Sequence, residues 1–359
     1  MTLLPSPGSF LPDGALGLIR DAASAAERAR DLAPAVLELI YREGWFRLLA
    51  PRRWGGRALP LPELVRLEEG LAYADGSVGW VVTLCSGAGW FAGFIPDGDP
   101  GHELTEGFEG LFANERLCIA GSGSVGGEAG VVDGGYRVSG SWAYASGIRH
   151  ATAYTANCRV VREREAVNGA DGQPLIRPFL FLPGEVRLRN DWNAMGLVAT
   201  GSHGFFMEDA FVPAERMFAI DPAAAVDADP LYQYPFLPLA EATLAVNISG
   251  MGQHFLECCA DYFGRRELPE AERLLADARV ELDALRGELY RVVDRSWVER
   301  SPELYAAVGK VSHEMASKVR AWAGRLYPFA GLGAARLDTT INRVWRDLYT
   351  AGQHPLLVF

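Results

Sequence analysis

The chain has 359 residues, of which 49% are hydrophobic and 22% charged, with a net charge of −11. This length allows two or three domains and a sizeable core, and the composition is that of an ordinary globular protein rather than a fibrous or disordered one. The acidic balance argues against a nucleic-acid or anionic-membrane partner, since either favours a basic face.

At the N-terminus, MTLLPSPGSF has no basic region ahead of an apolar run, so no signal peptide is expected. Residues 13–96 read as helices. Leu16, Ile19, Ala22, Ala23 and Ala26 keep helical spacing, and Pro34 suits a fresh start. Residues 42–56 form a turn-rich link. Leu61–Tyr73 reads as an amphipathic helix whose charges are Glu63, Arg66, Glu68 and Glu69. Gly76 to Pro96 is uncharged and about as long as a membrane span. Its Gly and Ser content and its flanks, Asp75 and Asp97, favour a buried core helix instead. Residues 97–112 read as a loop.

From Leu117 the pattern changes to short runs of Val, Tyr, Phe and Thr between Gly and Asp turns. Tyr136–Ser146 follows an Asp-Gly-Gly turn, and Ala153–Val161, Pro178–Leu182 and Gly204–Val212 read as further strands. After Val212-Pro213, helices are expected at Leu239–Phe263, Glu270–Val293, Pro302–Leu326 and Asp338–Ala351, with their charges mostly outward. The chain is therefore an α+β protein, helical over 1–115, β over 116–213 and helical over 214–359.

Several chemistries find no support. GSGSVG at 121–126 fits GxGxxG, but the EAGVVDGG that follows is turn-like, so the helix that a dinucleotide loop needs is missing. There is no P-loop, HExxH, paired Cys/His spacing or GxSxG elbow, and no metal is expected. The five cysteines lack a CxxC pair and read as reduced thiols of a cytoplasmic protein.

The tail RVWRDLYTAGQHPLLVF, 343–359, holds an Arg346-Asp347 step followed by His354. Asp347, Ala351 and His354 have helical spacing and would share a face. With ADGSVGW (74–80), IAGSGSVGGEAGVVDGGYRVSGSWAYASGIRHA (119–151) and WNAMGLVATGSHGFFMEDAFVPAER (192–216), this tail resembles the two-component (group D) flavin-dependent monooxygenases of the acyl-CoA dehydrogenase fold. The dehydrogenases of that fold place a glutamate base eight residues after the aspartate, where this chain has Pro355.

The resemblance implies an N-terminal α-bundle, a β-barrel-like middle domain and a C-terminal α-bundle. It implies reduced FMN or FAD supplied by a separate flavin reductase, and oxygenation of a small aromatic, sulfur or amine substrate. It also implies a homo-oligomer, tetramer or dimer, with no membrane or nucleic-acid partner. Carried onto this chain, it sets Tyr144, Ala145 and Ser146 along the flavin, with Ser146 at the N5/O4 edge. Gly121, Ser122 and Ser124 would serve its pyrimidine side, and Thr200 and Ser202 belong to a TGS step. Trp80, His150 and Trp192 would border the substrate, and His354 would be the acid–base group, since an imidazole titrates near neutrality. Val198 replaces an arginine often found before that step. The short tail and the connection around Arg265–Glu270 favour FMN or weakly held FAD. Two other readings stand beside this one: an acyl-CoA dehydrogenase with its base moved to Glu241 or another carboxylate, and a flavin-free binding protein of the same fold.

Overall fold

A computed structural model describes residues 4–95, 110–264 and 267–358. The loop expected at 97–112 lies mostly outside the described residues, and its last three, 110–112, are helical.

Helix α1 (Ala15–Ala29) buries Ile19, Ala23 and Ala26 on one face and ends at Arg30 in the left-handed region. Helix α2 (Pro34–Arg42) opens on its proline. Helices α3 (Leu61–Ala74) and α4 (Gly76–Trp90) meet at Asp75, whose carboxylate accepts from the amides of Ser77 and Val78 at 3.0 and 3.1 Å. That cap satisfies two otherwise orphaned donors and starts α4. Helix α4 runs through the core: the apolar stretch Gly76–Phe94 is long enough to cross a membrane, but 83% of it is buried inside the protein.

The amphipathic reading of Leu61–Tyr73 is corrected here. Glu68 and Glu69 are both fully buried. Helix α3 is covered on two sides, by α4 and by the later helices α5 (Phe236–Phe263) and α6 (Pro269–Glu299). Glu69 is held in a bidentate pair by Arg286 of α6, with both contacts at 2.9 Å. The later helices do carry most of their charges outward, as expected; the exceptions are Glu241, Arg286, Arg343, Arg346 and Asp347, which are buried between elements.

Seven strands form one mixed sheet of order β4-β3-β1-β2-β7-β6, with β5 pairing on β3. They are β1 (Ile119–Val132), β2 (Gly135–Trp142), β3 (Ala153–Arg162), β4 (Glu165–Ala166), β5 (Ile176–Phe181), β6 (Arg187–Leu188) and β7 (Phe205–Pro213). Among the described strands, only β1 and β3 pair in parallel. The stretch read as turn-like, EAGVVDGG, instead continues β1 to Val132, and the chain reverses at Gly134 with φ 71°. The glycines of this region make room for an indole. A Cβ on Gly127 would stand 2.3 Å from the Trp142 ring, and one on Gly140 would stand 2.5 Å from it. Within the string that mimics a phosphate loop, only Gly126 packs this way, with a Cβ there 2.7 Å from the Trp142 ring; Gly121 faces Thr155 and Gly123 meets nothing within 4 Å. Trp142 anchors a second core with Phe181 and Phe205. The strand expected to reach Ser146 ends at Trp142, so residues 143–146 leave the sheet.

Helices α7 (Pro302–Leu326) and α8 (Thr340–Ala351) complete the main core with α3 to α6. Helix α8 ends at Ala351, and a new one-turn helix, α9 (Pro355–Val358), follows. Asp347 and His354 therefore do not share one helical face, because Gly352 and Gln353 turn the chain between them.

Candidate active site

Having left the sheet, residues 145–147 are clamped to residues 200–203 by backbone bonds. Ala145 N–H donates to His203 O at 3.1 Å, and Gly147 N–H to Thr200 O at 2.8 Å. The intervening Ser146 N–H finds no partner among the described residues. Ser146, Thr200 and Ser202 are all buried and joined through their hydroxyls: Ser146 Oγ is 2.8 Å from Ser202 Oγ, which is 2.6 Å from Thr200 Oγ1. Thr200 donates to Leu197 O at 2.7 Å. Residues from two segments distant in sequence thus form one polar edge.

An aromatic platform adjoins it. Tyr144 is 64% exposed, and its ring meets Trp192 edge-on at 5.3 Å. Trp192 is fixed at two points, its amide donating to His203 Nδ1 and its indole N–H to Leu197 O, both at 3.0 Å. Burial, with the Arg149 cation, holds the His203 pKa down, so Nδ1 stays an acceptor. Ser122 donates to Ala143 O at 2.9 Å and accepts from Ser124, whose Oγ lies 2.9 Å away. They brace the chain just ahead of Tyr144. Gly121 lies where β1 crosses Thr155, whose hydroxyl would be 2.2 Å from a Cβ there.

Helix α4 carries the next residues. Gly147, with φ 71°, packs so closely on α4 that a Cβ would meet Cys85 Sγ at 2.8 Å and Val81 at 2.9 Å. Cys85 Sγ also donates to Ser146 O at 3.4 Å. Beside Val81, Trp80 places its ring 5.8 Å from that of His354. Burial holds the His354 pKa below its ordinary value. Its Nδ1 accepts from Leu356 N–H at 3.3 Å, which leaves the proton of the neutral ring on Nε2.

Known proteins resemble this chain in sequence and in fold. Residues 235–359 match the family described as acyl-CoA dehydrogenase, C-terminal domain. The chain is 25% identical over 368 residues to the flavin-dependent monooxygenase oxygenase subunit HsaA of Rhodococcus jostii, covering 95% of this chain and 92% of that one. It is 26% identical to the oxygenase component of the FADH(2)-dependent resorcinol hydroxylase of a Rhizobium species, covering 95% and 88%. The crystal structure of the HsaA monooxygenase from M. tuberculosis superposes with a TM-score of 0.86 at 25% identity, covering 98% of this chain and 96% of that one. The chain is similar over nearly its whole length to flavin-dependent monooxygenases, and its fold is that of the acyl-CoA dehydrogenases.

In this member of the fold, Pro355 is an exposed helix start that offers no proton acceptor. Glu241, the alternative base, faces α7, where His313 lies 3.3 Å away. Burial raises its pKa and His313 lowers it. Its described partners include none of the residues above. His150 is tied to the end of α1, with Nε2 3.0 Å from Asp31, and its side chain is only 12% exposed. Burial opposes ionisation of Asp31, but the His150 bond and the Arg149 charge outweigh it and keep that carboxyl below its usual range. A cavity of about 680 Å³ opens elsewhere, lined by Arg20, His254, Glu257 and Arg343 among others, and contains none of the expected site residues.

The surface left beside the hydroxyls fits a flavin. A planar apolar ring with one polar edge matches exposed Tyr144, two residues before the Ser146 N–H and hydroxyl. Two anchors were not singled out in the sequence, Leu197 and His203. The Arg346-Asp347 step served there as a family marker and has a mechanical role here. Asp347 accepts from Leu197 N–H at 2.5 Å, Arg346 donates to Met195 O at 2.5 Å, and Gly196 lies against the Arg346 carbonyl. The step therefore bolts α8 onto the loop that supports Thr200 and Trp192.

Proposed function

We propose that this protein is the oxygenase component of a two-component system. It takes reduced FMN or FAD from a separate reductase and inserts one oxygen atom of O2 into a small aromatic substrate, the other atom leaving as water. The observation that carries this reading is the joining of the Tyr144–Trp192 platform to the Ser146–Ser202–Thr200 edge. The relatives named for the HsaA and resorcinol reactions support it.

When bound, the flavin supplies oxygen activation and transfer. Tyr144 and Trp192 bear its ring, and Ser146 offers a hydroxyl and an amide to its N5/O4 edge. Ser122 and Ser124 hold the strand end that presents Tyr144. Trp80 and His354 border the substrate. A neutral His354 presents its Nε2 proton to the substrate, and protonation of the ring would break the Leu356 contact that holds it. The absence of a carboxylate at position 355 disfavours α-proton abstraction from a thioester.

Anaerobic titration of the protein with reduced FMN and reduced FAD tests the site. Saturable binding, weakened about tenfold or more in Tyr144→Ala, is expected from loss of a stacking platform. Absence of binding by either reduced flavin overturns the reading.

A further inference from the structure

The hydroxyl chain has a direction. Each hydroxyl carries one proton and two lone pairs. Thr200 commits its proton to Leu197 O at 2.7 Å, because a carbonyl only accepts. Across the 2.6 Å contact Thr200 is then the acceptor, so the Ser202 proton points at Thr200. Across the 2.8 Å contact Ser202 is in turn the acceptor, so the Ser146 proton points at Ser202. Ser146 Oγ keeps lone pairs and has no proton to offer. The three residues are 6%, 2% and 3% exposed, so water has little access to reverse the order. The far end is fixed as well: Leu197 O also accepts from the Trp192 indole at 3.0 Å, and Leu197 N–H donates to Asp347 Oδ1 at 2.5 Å.

We propose that this chain makes Ser146 a redox-state selector, an acceptor-only hydroxyl that favours reduced flavin over oxidised flavin. The inference rests on the flavin site proposed above, with the N5 edge at Ser146. Reduced flavin carries a proton on N5 and donates to Ser146 Oγ. Oxidised flavin presents a bare lone pair there, and lone pair meets lone pair. A component that receives reduced flavin from another protein and releases it oxidised gains directionality from this arrangement. Thr200 and Ser202 act through Ser146 and are positioning residues for it.

The test is anaerobic titration of the full-length protein with oxidised and with reduced FMN and FAD, followed by tryptophan fluorescence. Wild type is expected to bind the reduced form about tenfold or more tightly than the oxidised form. Ser202→Ala removes the acceptor that holds the Ser146 proton and frees it to donate to oxidised N5. Affinity for oxidised flavin is expected to rise several-fold while that for reduced flavin does not improve, so the preference collapses. A general packing defect would weaken both forms together. Parallel loss of both affinities, or an unchanged ratio, overturns the proposal. If Ser202→Ala does not fold, Thr200→Val ends the chain one link earlier and is expected to shift the ratio the same way; an unchanged ratio there overturns the proposal. Wild type binding neither form would overturn the flavin reading itself, and this inference with it, whereas tight binding without redox preference would overturn the inference alone.

Discussion

At the residue scale, the proposed chemistry falls to His354 and Ser146. His354 is half-buried with its proton on Nε2, poised against Trp80. Replacing it with alanine is expected to slow substrate oxygenation by roughly 10²–10⁴, the usual cost of a lost general acid–base group. Peroxide should appear in place of product, measured as the ratio of hydrogen peroxide to oxygen consumed. Burial depresses the His354 pKa, which favours the neutral ring. Activity should therefore hold through neutral pH and fall only on acidification below the ordinary histidine value of about 6.5. Ser146→Ala should shorten the life of the oxygenated flavin, through loss of a hydrogen bond of roughly 0.5–1.5 kcal/mol; unchanged stopped-flow decay would remove Ser146 from the site. The residue types at 144–146, 200–202 and 354 were legible from their resemblance to a family. The order of protons along Thr200, Ser202 and Ser146 was not, because it depends on a carbonyl, Leu197 O, that no residue type announces.

At the element scale, buried charge sets the pH response and the site's rigidity. Burial pushes the pKa of Glu68 up to about 8, against hydrogen bonds from Thr83 and Ser86 that lower it. A carboxyl raised in the folded state binds more protons there than in the unfolded chain. Its contribution is full below the unfolded value of about 4.3 and is lost as pH rises toward the folded value. Thermal unfolding temperature should thus decline between pH 5 and pH 8, and Glu68→Gln should flatten that decline. An equal slope in the variant would show that Glu68 does not control it. Asp347, also pushed to about 8 by burial and by the charge of Asp75, holds the amide of Leu197. Asp347→Ala orphans that buried N–H, with an expected loss of about 1–3 kcal/mol. Asp347→Asn keeps an acceptor and should lose much less; urea unfolding compares the two. Helix α3 marks a limit of sequence reading. Its pattern announces a helix, but which of its faces are covered depends on α5 and α6, nearly two hundred residues away. The glycine-rich β1 differs from its sequence reading for a similar reason, since Trp142 from the neighbouring strand is what Gly126 and Gly127 accommodate.

At the scale of the whole molecule, helices before and after a single mixed sheet converge on one place. Helix α4 presses on Gly147, the 195–197 loop is bolted to α8, and the 200–203 segment is clamped to 145–147. The order of helical and β segments was readable from periodicity, while this convergence needed coordinates. It yields a site able to receive a flavin, with no carboxylate at the position the dehydrogenases use. Acyl-CoA thioesters should accordingly fail to bleach oxidised flavin on the protein under anaerobic conditions. The central claim, that the protein steers reduced flavin into oxygen transfer, is tested most directly by rapid mixing. The complex of protein and reduced flavin is mixed with oxygenated buffer, without substrate, and absorbance is followed in time. The account predicts a distinct oxygenated species that outlives the oxidation of free reduced flavin. Single-phase oxidation at the rate of the free flavin would contradict it.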